Sequence, residues 1–344
     1  MRHIAASILV LGLTACATAP SVPAIRETAA VAQTGDAADD PAIWVAPQPE
    51  QSLVIATQKK GGLYVFDLAG RIVQEAPGGE PNNVDLREGF AWPEGAAPIV
   101  GASDRTDNTI VLWRFDSATR RLEPTPRARI ATGFVEVYGF CLGQIGDALI
   151  AIATDRDSGE VGMWRIAPGP DGVPAGERVA GYTLGSIAEG CVVDDDHGVY
   201  YVAQELEGIW RVDANDTTGA GRRLVDRVGA GGNLVADVEG LSLWRSAEGG
   251  GYLVASVQGA SRFAVYDRGD ANAYRGAFRI AASEDAGADA VQGTDGIDVV
   301  SAPLGPNFPR GLLVAQDDRN TRPSELQNFK YLSWADVMLA LELE

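Results

Sequence analysis

A unit of about 50 residues recurs six times along the chain, and few folds accommodate such a repeat. Each unit opens with a polar or acidic residue, then a small one, then an apolar strand. The six openings are Asp40-Pro41-Ala42-Ile43-Trp44, Asn83-Val84-Asp85-Leu86, Tyr138-Gly139-Phe140-Cys141-Leu142, Glu189-Gly190-Cys191-Val192, Glu239-Gly240-Leu241-Ser242 and Asp295-Gly296-Ile297-Asp298. A second apolar strand follows each opening, over 53–57, 99–102, 149–153, 199–203, 252–255 and 312–315, and ends in a polar cluster. Third strands follow at 63–68, 109–115, 161–166, 208–212, 262–266 and 328–332. Five units have a fourth, at 71–75, 128–131, 178–183, 222–228 and 274–280; the sixth runs out of chain. Residues 24–31 are a spare strand at the other end, able to complete the sixth sheet and close a ring. Four short antiparallel strands at this period predict an all-β chain, a six-bladed β-propeller with four-stranded antiparallel blades. A β-sandwich would not repeat in register. The 41 glycines and 18 prolines suit that many turns, and only 334–341 reads as helix.

The repeat defines a site. In a meander, strand one starts at the sheet end where strand two finishes. Residues before every first strand and after every second strand therefore share one face of the propeller and ring its channel. That face collects Asp39, Asp40, Asn82, Asn83, Tyr138, Glu189, Asp237, Glu239, Asp295 and Asp317, together with Lys59, Lys60, Arg105 and Arg156. At a single strand end, polar residues are ordinary turn chemistry. Acids from six units aimed at one opening repel one another, and a bound cation is the simplest answer. Carboxylates, asparagines and backbone carbonyls are calcium chemistry. Such a cation beside Lys and Arg would hold a multiply anionic ligand, phosphate foremost. No Gly-rich phosphate loop opens a helix, which argues against nucleotides.

Composition removes other classes. The 344 residues contain two histidines, His3 and His197. That excludes a His-rich zinc site and a two-histidine metalloprotease helix, and leaves a Ser-His-Asp hydrolase dependent on His197 alone. Any metal must be held by oxygen, hence a hard ion. With 28 Lys+Arg against 47 Asp+Glu, the net charge of −19 repels nucleic acid and anionic membranes. Two of the three lysines, Lys59 and Lys60, are adjacent and fall on the site face.

The N-terminus reads as an export signal. Met1-Arg2-His3 is a short basic start, and residues 4–15 are an apolar run too short to span a bilayer. Leu13-Thr14-Ala15-Cys16 looks like a bacterial lipoprotein signal, with 1–15 removed and Cys16 lipidated. The other reading is an ordinary signal peptide cleaved near Ala17-Thr18-Ala19. Residues 16–35 would be a tether running into the closing strand, and 36–344 a single propeller domain. The expectation is an exported monomer whose only membrane contact is a lipid anchor in the cell envelope, or a secreted protein. An exported protein could pair Cys141 and Cys191, but two cysteines make no disulfide framework and both lie just after glycines in apolar runs, so buried free thiols are the expectation.

Several of these segments resemble the β-propeller phytases, the calcium-dependent alkaline 3-phytase type. They are Asp36-Ala37-Ala38-Asp39-Asp40-Pro41-Ala42-Ile43-Trp44, Asn82-Asn83-Val84-Asp85-Leu86-Arg87, Glu136-Val137-Tyr138-Gly139-Phe140, Asp237-Val238-Glu239-Gly240-Leu241, Thr294-Asp295-Gly296-Ile297-Asp298 and Val314-Ala315-Gln316-Asp317. The resemblance covers about residues 36–336 in family order. It implies hydrolysis of phytate, myo-inositol hexakisphosphate, as its calcium complex. It also implies two adjacent phosphate sites, one for cleavage by metal-activated water and one for affinity. The cleavage site would use Lys59, Arg105, Tyr138, Glu189, Asp237 and Glu239, with Asp39 and Asp40 on calcium. Lys60, Arg156 and Glu205 would lie toward the second phosphate. Asn82, Asn83, Asp85, Asp295, Gln316 and Asp317 would hold calcium or shape its shell. Three positions depart from the family pattern: Arg156 follows Thr154-Asp155 where a lysine is usual, Gln204-Glu205 is one carboxylate short, and Gly293 replaces an acid.

Two other readings share the fold. A calcium-dependent sugar lactonase would want carboxylates and asparagines on one central metal, without the Lys59-Lys60-Arg105 cluster. A non-catalytic binding propeller would tolerate substitution at Glu189 or Tyr138.

Overall fold

The computed structural model describes residues 19–344. The expected signal segment, Cys16 and the first tether residues lie outside them. Six sheets are arranged around one axis. Blade one is built from strands Ala38–Trp44, Leu53–Gln58, Gly62–Asp67 and Ile72–Pro77. Blade two runs from Pro81–Trp92 to Ala128–Ala131, blade three from Val137–Ile145 to Pro174–Thr183, and blade four from Ala188–Asp194 to Arg223–Arg227. Blade five runs from Val238–Arg245 to Tyr274–Ala281. Blade six comprises Ile297–Val299, Leu312–Asp317 and Asn328–Ser333. The first strand of each blade is innermost and packs against the first strands of both neighbours, so the ring is closed.

Closure comes from the N-terminus. Arg26–Glu27 pairs antiparallel with blade six, Arg26 opposite Tyr331 and Glu27 opposite Lys330. Backbone bonds from Ile25 to Tyr331 (2.8 Å) and from Val31 to Gln327 (2.9 Å) extend the contact over the expected closing segment. One strand was not expected: Ser21–Pro23, read from sequence as tether, pairs parallel with blade five. Val22 supplies the reason, since its side chain is buried beside Phe278 and Ile280. The helix Trp334–Leu341 forms as predicted and packs on the same cluster.

Strand composition follows position. Second strands such as Leu53–Gln58 and Val199–Gln204 are buried on both faces and read as continuous apolar runs. Outer strands such as Ile72–Pro77 alternate, with one face in water. No single core exists; six apolar clusters fill the six joints between neighbouring blades. Below the mouth, Arg87 reaches across the axial channel, bonding Asp85 of its own blade (3.0 Å) and Asp195 after the inner strand of blade four (3.1 Å).

The expectation of free thiols is wrong: Cys141 and Cys191 form a disulfide, with Cα atoms 5.7 Å apart. The two residues lie on the neighbouring inner strands of blades three and four, 50 residues apart. They are one residue out of equivalence, since Phe140 is the counterpart of Cys191, and both side chains fall in the joint between these two blades. The bridge constrains a long loop, worth about 4 kcal/mol in the chain-entropy account. In protein carrying Cys16→Ser, no thiol should react with a thiol reagent in denaturant until reductant is added. Reaction before reduction would contradict the pairing.

Candidate active site

The inner strands of blades one to five each slip register near their start. The slips fall between Ala38 and Pro41, Pro81 and Val84, Val137 and Phe140, Ala188 and Cys191, and Val238 and Leu241. A bulge leaves residues out of the ladder and re-aims their side chains. The bulged pairs are Asp39-Asp40, Asn82-Asn83, Tyr138-Gly139, Glu189-Gly190 and Glu239-Gly240. A hydroxyl on the adjoining second strand catches the displaced backbone in three blades. Thr57 Oγ1 accepts from the Asp40 N–H at 2.9 Å, Ser103 Oγ from Asn83 at 3.1 Å and Thr154 Oγ1 from Gly139 at 2.9 Å. Glycine is needed because the blades meet here: a Cβ on Gly139 would lie 1.8 Å from the Glu189 carbonyl oxygen, and one on Gly190 2.1 Å from that of Glu239.

The bulges, with Glu205 at the end of the second strand of blade four, assemble a buried acid cluster. Glu189, Glu205 and Glu239 each offer a carboxylate oxygen within 4.8 Å of the others. The Asn82 amide donates to Glu189 at 2.6 Å. Lys59 joins the neighbouring acids, at 2.7 Å from Asp36, 2.9 Å from Asp39 and 3.3 Å from Asp295. Burial would depress the Lys59 ammonium, but the charges of Asp39, Asp295 and Glu189 overrule it and raise its pKa. Glu205 Oε1, Glu239 Oε2, Asp39 Oδ2 and Asn82 Oδ1 are buried and accept no hydrogen bond.

Such groups strain toward their neutral forms. Burial, reinforced by the Glu189 charge and opposed by Lys59, raises Asp39 to about 7. Burial and the charges of Glu189 and Asp237 push Glu205 up to about 8. Burial likewise lifts Asp40, Glu239 and Asp295 well above the carboxylate range, with nearby carboxylates adding to it. Tyr138 is raised by burial and by Glu189 and Glu239, so its hydroxyl keeps its proton. Orphaned, buried oxygen acceptors in mutual contact fit a hard divalent cation.

Above the cluster the mouth opens to about 580 Å³, lined by Lys59, Tyr138, Arg156, Glu205, Asp237 and Glu239 among others. Arg156 lies over the Tyr138 ring, 5.7 Å from its centre. Arg105 is half-buried on blade two, its Nε without a partner. Lys60 is exposed, its ammonium donating to the Thr34 carbonyl at 2.7 Å.

Three residues expected as ligands are not brought to the cluster. Asp85 sits in the channel, where its carboxylate accepts from Leu142 N–H at 2.8 Å and pairs with Arg87. Gln316 is a spacer beneath Asp295, accepting from its N–H at 2.8 Å and donating to the Ala38 carbonyl at 3.1 Å. Asp317 is fully buried against Lys330 at 3.1 Å. Asp36, Gln258, Ser261, Asp318 and Arg319 line the mouth without having been singled out from sequence. Asp36 opens a quoted motif, and its place three residues before Asp39 was a usable signal. Gln258 and Asp318 end the polar clusters after the second strands of blades five and six, which was a usable signal too; Ser261 and Arg319 lie in the loops just beyond.

Fold and site together define a six-bladed propeller whose mouth sets an acid cluster, fit for a cation, beside basic side chains fit for an anion. The chain matches the Phytase family over residues 2–344 and belongs to it. Family members so named are phosphoric monoester hydrolases. It is 39% identical over 325 residues to the 3-phytase of Bacillus subtilis (strain 168), covering 92% of this chain and 84% of that protein. A solved structure of luciferin-regenerating enzyme superposes with a TM-score of 0.56 over 88% of this chain and 93% of that one. At 10% identity, that likeness concerns the fold alone.

The acid cluster makes stability depend on pH with an unusual sign. Unfolded Asp and Glu release protons near about 4, whereas folded Asp39 and Glu205 keep theirs to about 7 and about 8. Between those limits the folded state binds more protons, so these groups make stability fall as pH rises. In chelator, the thermal midpoint should therefore drop from pH 5 to pH 8, and calcium should reverse the drop. A midpoint at pH 8 indifferent to calcium would contradict the cation site.

Proposed function

We propose that the protein is a calcium-dependent phytase that hydrolyses phosphomonoesters of myo-inositol hexakisphosphate, releasing inorganic phosphate and lower inositol phosphates. The observation that carries this reading is the cluster of buried carboxylates with unpartnered oxygens facing basic side chains at one mouth, in a chain of the phytase family. Glu189, Glu205 and Glu239 would hold calcium, with Asp39 and Asn82 beside them and Asp40, Asp237 and Asp295 supplying further oxygen. When bound, the ion supplies positive charge against phosphoryl oxygens and lowers the pKa of water at the site.

The remaining work falls to side chains of this chain. Lys59 is held by three carboxylates, so its ammonium is oriented before substrate arrives. It and Arg105 would stabilise charge on the equatorial oxygens as water adds to phosphorus and the ester P–O bond breaks. Tyr138, kept protonated, can donate to the same group. Arg156 and Lys60 would draw in a second phosphate. No covalent nucleophile is needed, which fits a chain whose His197 bonds Asp194 away from the mouth. The basic groups at the mouth disfavour a lactonase, whose substrate is uncharged.

Phosphate release from phytate tests the proposal. It should require calcium, stop in chelator, and fall by at least about tenfold in Glu189→Ala with an unchanged circular dichroism spectrum. Release that survives chelation would sink the metal mechanism. No release from folded, calcium-loaded protein would turn attention to a binding propeller.

A further inference from the structure

Of the cations lining the mouth, Arg319 alone comes from blade six. Its loop is anchored on both sides. Asp318 accepts from the Gln327 amide. Asn320 is buried, donating to the Ser324 and Leu326 carbonyls at 2.9 and 2.7 Å and accepting from Lys330 at 2.9 Å. Thr321 donates twice to the buried Asp289. The Arg319 N–H itself donates to the Gln292 carbonyl at 3.2 Å. A fixed backbone thus carries a guanidinium that is 73% exposed and has only Asp318, at 3.9 Å, for a counter-charge. Lys59, by contrast, already touches three acids.

The wall beside Arg319 adds a hydroxyl donor, with the Asp318 carboxylate engaged by the Gln327 amide. Gly293 has no side chain and a φ of +66°, and a Cβ there would lie 3.1 Å from Asp318. The Gly293 N–H donates to Ser261 Oγ at 3.1 Å, and that hydroxyl donates to no acceptor among the described residues. Its hydrogen is free for a ligand. In a six-bladed ring, blade six stands across the axis from blade three, which carries Arg156. Two accessible arginines therefore flank the acid floor from opposite sides. A ligand engaging both at once must carry anions on opposite sides of a compact body. A monophosphate ester cannot; a hexakisphosphorylated ring does.

We propose that Arg319 and Ser261 form a third phosphate subsite, which receives a phosphate of phytate across the ring from the one drawn to Arg156. It makes the enzyme favour highly phosphorylated inositol over its lower phosphates. The inference rests on the phytase reading and adds to it a specificity-determining residue outside the repeated motifs.

Steady-state kinetics with hexakisphosphate and with glycerol 2-phosphate, both with calcium, test it. Arg319→Gln should raise KM for hexakisphosphate roughly three- to tenfold, the range for a charged hydrogen bond discounted for exposure, while kcat changes less than about twofold. KM for the monophosphate should move less than about twofold. Arg319→Lys should recover part of the loss, since it keeps the charge but not the fork. An unchanged KM for hexakisphosphate overturns the subsite. So does an equal shift for both substrates, or a loss in kcat that Arg319→Lys does not rescue, which would mark a structural role. If the wild type turns over no phytate, the phytase reading fails on its own. Calorimetric titration of hexakisphosphate into wild type and Arg319→Gln then decides the subsite, and equal affinities overturn it.

Discussion

A belt of hydrogen bonds at the level of the bulges joins every blade to the next, and the site hangs from it. The Val84 N–H reaches the Asp40 carboxylate at 3.1 Å, and Ser103 reaches the Tyr138 carbonyl. Thr154 donates to Ala188 at 2.6 Å, and Val238 N–H to Glu205 at 3.1 Å. Gly240 N–H donates to Asp295 at 3.2 Å, and Gly296 N–H to Asp39 at 3.1 Å. Each bond runs from one blade to a residue at or beside the neighbour's site position. Displacing a strand inside its own ladder would normally cost unpaired backbone groups. Here the neighbouring blade takes them up, so the displacement that aims the acids also closes the ring.

That arrangement sets two demands against each other. Packing between blades calls for glycine and small hydroxyl residues at the joints, while cation binding calls for carboxylates beside them. Pairs such as Glu189-Gly190 and Glu239-Gly240 meet both with adjacent residues. The remaining cost is electrostatic. Several acids lie buried with Lys59 as the cation in direct contact with Asp39 and Asp295, and their pKa values rise accordingly. A cluster of this kind is poorly satisfied without a counter-ion. Its instability is the physical signature of its use, since strain retained in a folded protein gathers where function needs it.

Much of this was legible in the residues. The six-fold period and the strand sequence followed from apolar runs punctuated at the same places, and the helix 334–341 from its own pattern. The shared face followed from meander geometry, and it brought Lys59 to the acids. Side-chain direction was harder to read. Asp85 and Asp317 have the right chemistry, but strand alternation sends Asp85 into the channel and Asp317 toward Lys330. The disulfide was missed because two cysteines in apolar runs read as buried thiols, though a spacing within one residue of the repeat already placed Cys141 and Cys191 on neighbouring inner strands. Ser261 and Arg319 could not be found by repetition, because each belongs to one loop alone.

The proposed cation site is built from Glu189 and Glu239 at the bulges and Glu205 beside them. A crystal of the protein grown with calcium, measured at a wavelength where calcium scatters anomalously, tests it directly. Anomalous peaks are expected within coordination distance of Glu189, Glu205 and Glu239. A well-phased map with no peak there, or with calcium held only at remote surface acids, would contradict it.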